Sequence, residues 1–240
     1  NRRVGNACYR DGMDGAVRII DSKHVTFDGP TVVDSCCWMV SAFNSSDLTF
    51  ANLKVTGAWR YNTDGIDICN SQRVRVENCY VHSFDDSIVL KGIPQAKYED
   101  DPEEDIAVER CVCWCSWGNT LENGLETWAP RFRDIRFEDC DLIHNSAAAL
   151  SVHMGGPARL ENVVFRNIRV EMDGPSLESV IQKDRDQVFV AEERKGPGCL
   201  YAVRNRKMFG DGFYRGDGRD FSKEPHGTVD GLTIEDVTVF

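Results

Sequence analysis

A short pattern recurs along the chain: apolar, any, apolar, any, a small polar residue, apolar. It opens at Val25, Leu48, Val74, Ile106, Ile135, Val163 and Leu232, and its fullest copies cover residues 48–55, 74–81, 135–142, 163–170 and 232–239. Alternation with period two puts every second side chain on one face, so each copy predicts a strand with one face buried. Successive starts from Val25 to Val163 fall 23, 26, 32, 29 and 28 residues apart. Hairpins would return about every ten residues; this wider spacing predicts one strand-bearing turn per coil of a solenoid. Few helical stretches separate the copies, which disfavours a doubly wound sheet. Stacked coils pair in parallel with those above and below. The chain therefore reads as all-β, a single-stranded parallel β-helix forming one domain over residues 1–240.

One position in the pattern favours residues that tolerate left-handed backbone: Asn52, Asn78, Asp139, Asn167 and Asp236, with Arg110 breaking the column. Asn and Asp bond their own main chain, so a stack of them can pin the same bend in every coil. The next position inward holds Leu53, Cys79, Cys111, Cys140, Ile168 and Val237. Stacked thiols acting as small hydrophobes explain these cysteines better than disulfides do. Cys111, Cys113 and Cys115 alternate as strand positions, and no Cys-x-x-Cys pair occurs, which argues against zinc. No metal and no cofactor is expected. Residues 172–230, rich in Gly, Asp, Arg and aromatics including Phe209, Phe213 and Tyr214, interrupt the pattern. They read as a large loop on a cleft wall or as an irregular coil.

Composition bears on partners more than on fold. Hydrophobic residues make up 41% and charged residues 28%, the balance of a soluble globular chain. A net charge of −11 argues against nucleic acid, whose phosphates demand a basic surface. No apolar run reaches membrane-spanning length. The chain opens abruptly at Asn1 and stops inside an apparent strand at Phe240, so it reads as an excerpt of a longer protein.

The candidate chemistry is acidic. The chain reads Tyr61-Asn62-Thr63-Asp64-Gly65-Ile66-Asp67-Ile68, and 21 residues after Asp64 comes Phe84-Asp85-Asp86-Ser87-Ile88-Val89-Leu90-Lys91-Gly92. One coil of separation stacks both segments at one azimuth, so their side chains converge on one patch. Crowded carboxylates raise at least one pKa and keep a proton available near neutrality. A proton for the leaving oxygen and a base for water are what glycoside hydrolysis requires. Asp and Asn are also ordinary turn residues. Paired aspartates before a clean strand, one coil after another such Asp, are harder to explain that way.

Asn62-Thr63-Asp64 and Asp85-Asp86, with their spacing and the continuation Gly65-Ile66-Asp67-Ile68, resemble the first two signature blocks of glycoside hydrolase family 28, the polygalacturonases and their relatives. The resemblance covers residues 25–170. It implies a right-handed β-helix, an inverting hydrolysis, a carbohydrate substrate, and a secreted or periplasmic location. By that similarity Asp85 is the general acid, while Asp64 and Asp86 position and deprotonate the water. The third family block expects a histidine where Asn119 stands. The fourth expects two cations where Ser151 and His153 stand. These departures from the family pattern predict a reacting sugar other than galacturonate, with Arg60 or Lys91 as the candidate replacement cation.

Strand parity adds Glu122. If Leu121 and Leu150 face the core, Glu122, Ser151 and His153 face outward with Asp67 and Lys91. Candidate substrate contacts are thus Asn62, Asn119, Glu122, His153, Lys91 and Arg60. His82 and the aromatics Trp59, Tyr61, Trp117 and Trp128 lie near the same turns, where packing explains them equally well. Two other functions fit the architecture: a polysaccharide lyase or epimerase, and a glycan-binding β-helix without catalysis.

Overall fold

The computed structural model describes residues 15–35, 37–58, 62–93, 101–172, 180–184, 187–190, 198–205 and 225–240. It is a right-handed parallel β-helix. Seven strands form the first sheet in the order Val17–Ile20, Val40–Phe43, Ile66–Cys69, Ile88–Gly92, Leu121–Thr127, Ala148–Met154 and Cys199–Asn205. A second ladder runs beside it from Lys23–Asp28 through Ser46–Ala51, Gln72–Glu77, Glu103–Glu109 and Arg131–Glu138 to Arg159–Val170 and Thr228–Val239. A third stacks Thr31–Val33, Lys54–Thr56, Tyr80–Ser83, Val112–Cys115 and Asp141–Asn145, and ends on the long strand Arg159–Val170. Among the described residues no helix is long and apolar enough to cross a membrane.

A coil therefore carries three strands. The copy of the pattern at 48–55 spans two of them, Ser46–Ala51 and Lys54–Thr56, on either side of the bend at Asn52. The bend column is uniform in backbone: φ is 53° at Asn52, 54° at Asn78, 53° at Arg110, 55° at Asp139, 51° at Asn167 and 54° at Asp236. Arg110 breaks the column in chemistry only. Left-handed backbone costs such a residue about 1–2 kcal/mol. Its guanidinium offsets this with bonds to Asn78 Oδ1 at 3.1 Å, Glu77 at 2.6 Å and Glu109 at 2.9 Å.

Just inside the bend, Leu53, Cys79, Cys111, Cys140 and Ile168 are buried, and every described cysteine is a free thiol. The thiols of Cys79, Cys111 and Cys140 each donate to the carbonyl two residues earlier, at 3.3, 3.3 and 3.2 Å. Phe137 and Phe165 stack one coil apart with ring centroids 4.8 Å apart. Within 172–230, Cys199–Asn205 continues the first sheet, while Val180–Asp184 and Gln187–Val190 form a separate antiparallel pair. Phe209, Phe213 and Tyr214 lie outside the described residues.

The inner strands of the first sheet differ from those of the other sheets because both of their faces are covered. Ile66–Cys69 and Ile88–Gly92 are buried at every position. One face is the helix core. Cys37, Trp38, Cys69 and Ile93, with Phe43 against them, form a second apolar cluster apart from that core.

Candidate active site

Three successive coils turn into the first sheet at residues 62–65, 84–87 and 117–120, and main-chain bonds lock these turns into register. Phe84 N donates to Thr63 O at 3.2 Å and Gly65 N to Asp86 O at 2.8 Å. One coil on, Gly118 N donates to Phe84 O at 3.2 Å and Ser87 N to Asn119 O at 3.0 Å. The spacing of 21 residues between Asp64 and Asp85 is thus one coil in space. Gly118 lies against the paired aspartates: a Cβ there would stand 2.5 Å from Asp86 N and 2.7 Å from Asp85 Oδ1. Gly118→Ala should therefore displace the turn and lower kcat about a hundredfold, since a shift near 1 Å has that cost. Steady-state kinetics beside a melting curve checks it; unchanged kcat would show the turn absorbs the methyl.

Asp64 is buried, and its Oδ2 accepts from Lys91 Nζ at 2.7 Å. Asp85 Oδ2 accepts the Asn62 main-chain N–H at 3.1 Å, and Asp86 Oδ1 accepts the Asn119 main-chain N–H at 2.8 Å. Below them, Cys115 Sγ donates to Asp85 O at 3.3 Å, and the Ser83 and Ser87 hydroxyls share a bond of 2.8 Å. Burial first, then the Asp64 charge, pushes the Asp85 carboxyl up from 3.8 to about 7. Burial, Glu122 and Asp85 raise Asp86 well above the usual carboxylate range. The three aspartates therefore share one electrostatic patch.

Strand parity places the remaining candidates. Leu121 and Leu150 belong to the core, and Asp67, Val89, Glu122 and Ser151 lie in one register row on the other face. Glu122 Oε2 accepts from Asn119 Nδ2 at 2.9 Å, and Oε1 accepts from Ser151 Oγ at 2.8 Å. His153 Nδ1 stands 4.0 Å from Glu122 Oε1. Asn119 and Glu122 thus tie the third turn to the strand behind it. Asn62, Asp85, Asp86, Asn119, Glu122 and His153 gather around the stacked turns.

Lys91 does not stand open to a sugar. It is 4% exposed, with Nζ 2.7 Å from both Asp64 Oδ2 and Asp67 Oδ1. Arg60, Trp59 and Tyr61 lie outside the described residues. Trp117 is half-buried and stacks on Phe84, Trp128 is buried, and His82 packs on Trp114 with Nε2 on the Ser116 hydroxyl at 3.2 Å. Gly118 and Trp38 were not singled out in the sequence. Trp38 carried no signal there, because it meets Lys91 only through the stacking of coils.

A model of the family described as Glycosyl hydrolases family 28 matches residues 10–172. A relative named "Probable exopolygalacturonase B" from Aspergillus terreus (strain NIH 2624 / FGSC A1156) is 27% identical over 165 residues, covering 63% of this chain and 35% of its own length. A "Probable polygalacturonase" from Vitis vinifera is 24% identical over 146 residues, covering 58% of this chain and 28% of its own. The chain thus spans about a third of the length of these relatives. In fold it is similar to the family 28 exopolygalacturonase of Yersinia enterocolitica, with a TM-score of 0.54 and 18% identity over 87% of this chain and 37% of that one.

Proposed function

The chain belongs to glycosyl hydrolase family 28, and from that premise we propose that it hydrolyses an O-glycosidic bond in a poly- or oligosaccharide, with inversion. The observation that carries the reading is the division of labour among buried carboxyls. Asp85 keeps a proton to about pH 7, beside an Asp64 held by a lysine ammonium. Asp85 protonates the leaving oxygen as its bond to the anomeric carbon breaks. Asp64 takes a proton from a water that Asp86 helps to position, while the water oxygen bonds that carbon from the opposite side.

The reacting sugar is read as neutral. Ser151 and His153 occupy the positions where the family resemblance expects two cations. Glu122 lies between them with Oε1 on Ser151 Oγ, which adds negative charge to the patch. A uronate there forgoes two charge-assisted contacts of about 1.5–3 kcal/mol each. Arg204, one coil on and in register with His153, is exposed, where a pairing is worth less. The names of the relatives favour polygalacturonan as the competing substrate.

A panel of neutral and acidic glycans, with product anomers followed by NMR, tests both readings. The expected result is an inverted product from a neutral glycan, with kcat/KM on polygalacturonate at least about a hundredfold lower, the equivalent of two lost contacts. Rapid release of reducing ends from polygalacturonate would overturn the neutral-sugar reading. A retained anomer would overturn the assigned roles.

A further inference from the structure

Lys91 is enclosed by two carboxyl groups and a ring. Its Nζ lies 2.7 Å from Asp64 Oδ2, 2.7 Å from Asp67 Oδ1 and 3.9 Å from the centroid of the Trp38 ring. All four side chains are buried. Each carboxyl group spends one oxygen on the ammonium, and Asp64 Oδ1 and Asp67 Oδ2 are closed off from solvent. The arrangement comes from coil stacking. Ile88–Gly92 pairs with Ile66–Cys69 so that Val89 lies opposite Asp67 and Lys91 opposite Cys69, which sets Lys91 and Asp67 diagonally on one face.

We propose that Lys91 is a positioning residue whose ammonium fixes Asp64 in place as a carboxylate, the form that can take a proton from water, with Asp67 anchoring the far side of the ammonium. This rests on the hydrolase reading above. Burial disfavours every anion in the patch, so Asp85 and Asp86 retain protons readily. The group that must accept a proton needs a cation, and Lys91 is the lysine in contact with it. The carboxyl groups of Asp64, Asp67, Glu126 and Asp86 around the ammonium outweigh burial and raise it well above the usual lysine range. Asp67 lies on the other side of the balance. Burial raises its carboxyl well above normal, Lys91 opposes this, and Asp64 adds to it. A carboxyl group on each side of the buried ammonium supplies the pairing that a buried charge needs.

A cation that binds substrate and a cation that positions a base differ in what they change. The test titrates the aspartate side-chain carbons of the full chain by 13C NMR, in the wild type and in Lys91→Met. In Lys91→Met, Asp64 is expected to titrate at least about one pH unit higher, because its opposite charge is gone. Lys91→Arg should restore most of the difference. These spectra need no substrate, so they decide the inference even if no glycan is cleaved. On the glycan the wild type cleaves fastest, Lys91→Met should lower kcat about a hundredfold with KM within about threefold, and move the acid limb of the pH profile upward. An unmoved Asp64 titration overturns the inference. So does a raised KM with kcat kept, which would mark Lys91 as a substrate cation. If Lys91→Met does not fold, Lys91→Gln, which keeps N–H donors without the charge, decides by the same titration.

Discussion

Asp85→Asn should lower kcat about 10²–10⁴-fold while leaving substrate binding within a few-fold. The amide keeps the shape of the carboxyl and can still accept the Asn62 N–H that Asp85 Oδ2 accepts at 3.1 Å. It cannot supply a proton to the leaving oxygen. In the wild type, activity requires Asp85 to be protonated, and burial with the neighbouring Asp64 charge pushes it to about 7. Activity should therefore fall as pH rises through that value, with the slope of a single proton. Asp85→Asn should lose this alkaline limb together with its rate. Kinetics from pH 4 to 9 on the best glycan of the panel, with binding followed by calorimetry, decides the matter. A variant that turns over at the wild-type rate would remove Asp85 from the chemistry. A glycan-binding β-helix without catalysis would show binding in both proteins and turnover in neither.

The same substitution should stabilise the fold, and only at higher pH. A carboxyl that titrates at 3.8 in the unfolded chain and near 7 in the folded one makes the folded state the better proton binder between those values. Its favourable contribution is intact below 3.8 and disappears as pH rises through about 7. Converted at 1.36 kcal/mol per pH unit, the interval is worth up to about 4 kcal/mol. Asn carries no such linkage. Denaturant unfolding at pH 8 should find Asp85→Asn more stable than the wild type, by an amount that shrinks towards zero at pH 4. Equal stability at pH 8, or the same advantage at both pH values, would mean the site does not strain this carboxylate. Stability withheld where the chemistry needs a proton is a trade expected of an active site.

Much of the molecule was legible in its residues. The bend column was readable because left-handed backbone is a local preference of Asn and Asp, and φ stays between 51° and 55° from Asn52 to Asp236. Arg110 showed the limit of reading by residue type: stacking imposed the same φ on a side chain that does not favour it. The thiols of Cys79, Cys111 and Cys140 were readable as core because their inward position repeats with the bend. The one-coil separation of Asp64 from Asp85 was readable too, since the coil period sets azimuth.

The first sheet was not readable in the same way. Ile66–Cys69, Ile88–Gly92 and Ala148–Met154 are buried on both faces, so they lack the alternation that marked the other strands. The pattern therefore showed one strand-bearing turn where the coil holds three strands. Lys91 carried a cation's identity but not its partners, which lie 27 and 24 residues away along the chain. Hydrophobic period and turn chemistry are properties of neighbours in sequence, and they suffice to stack the coils. Which oxygen meets which ammonium, and which carboxyl is left holding a proton, depends on distances and burial that exist only once the coils are stacked.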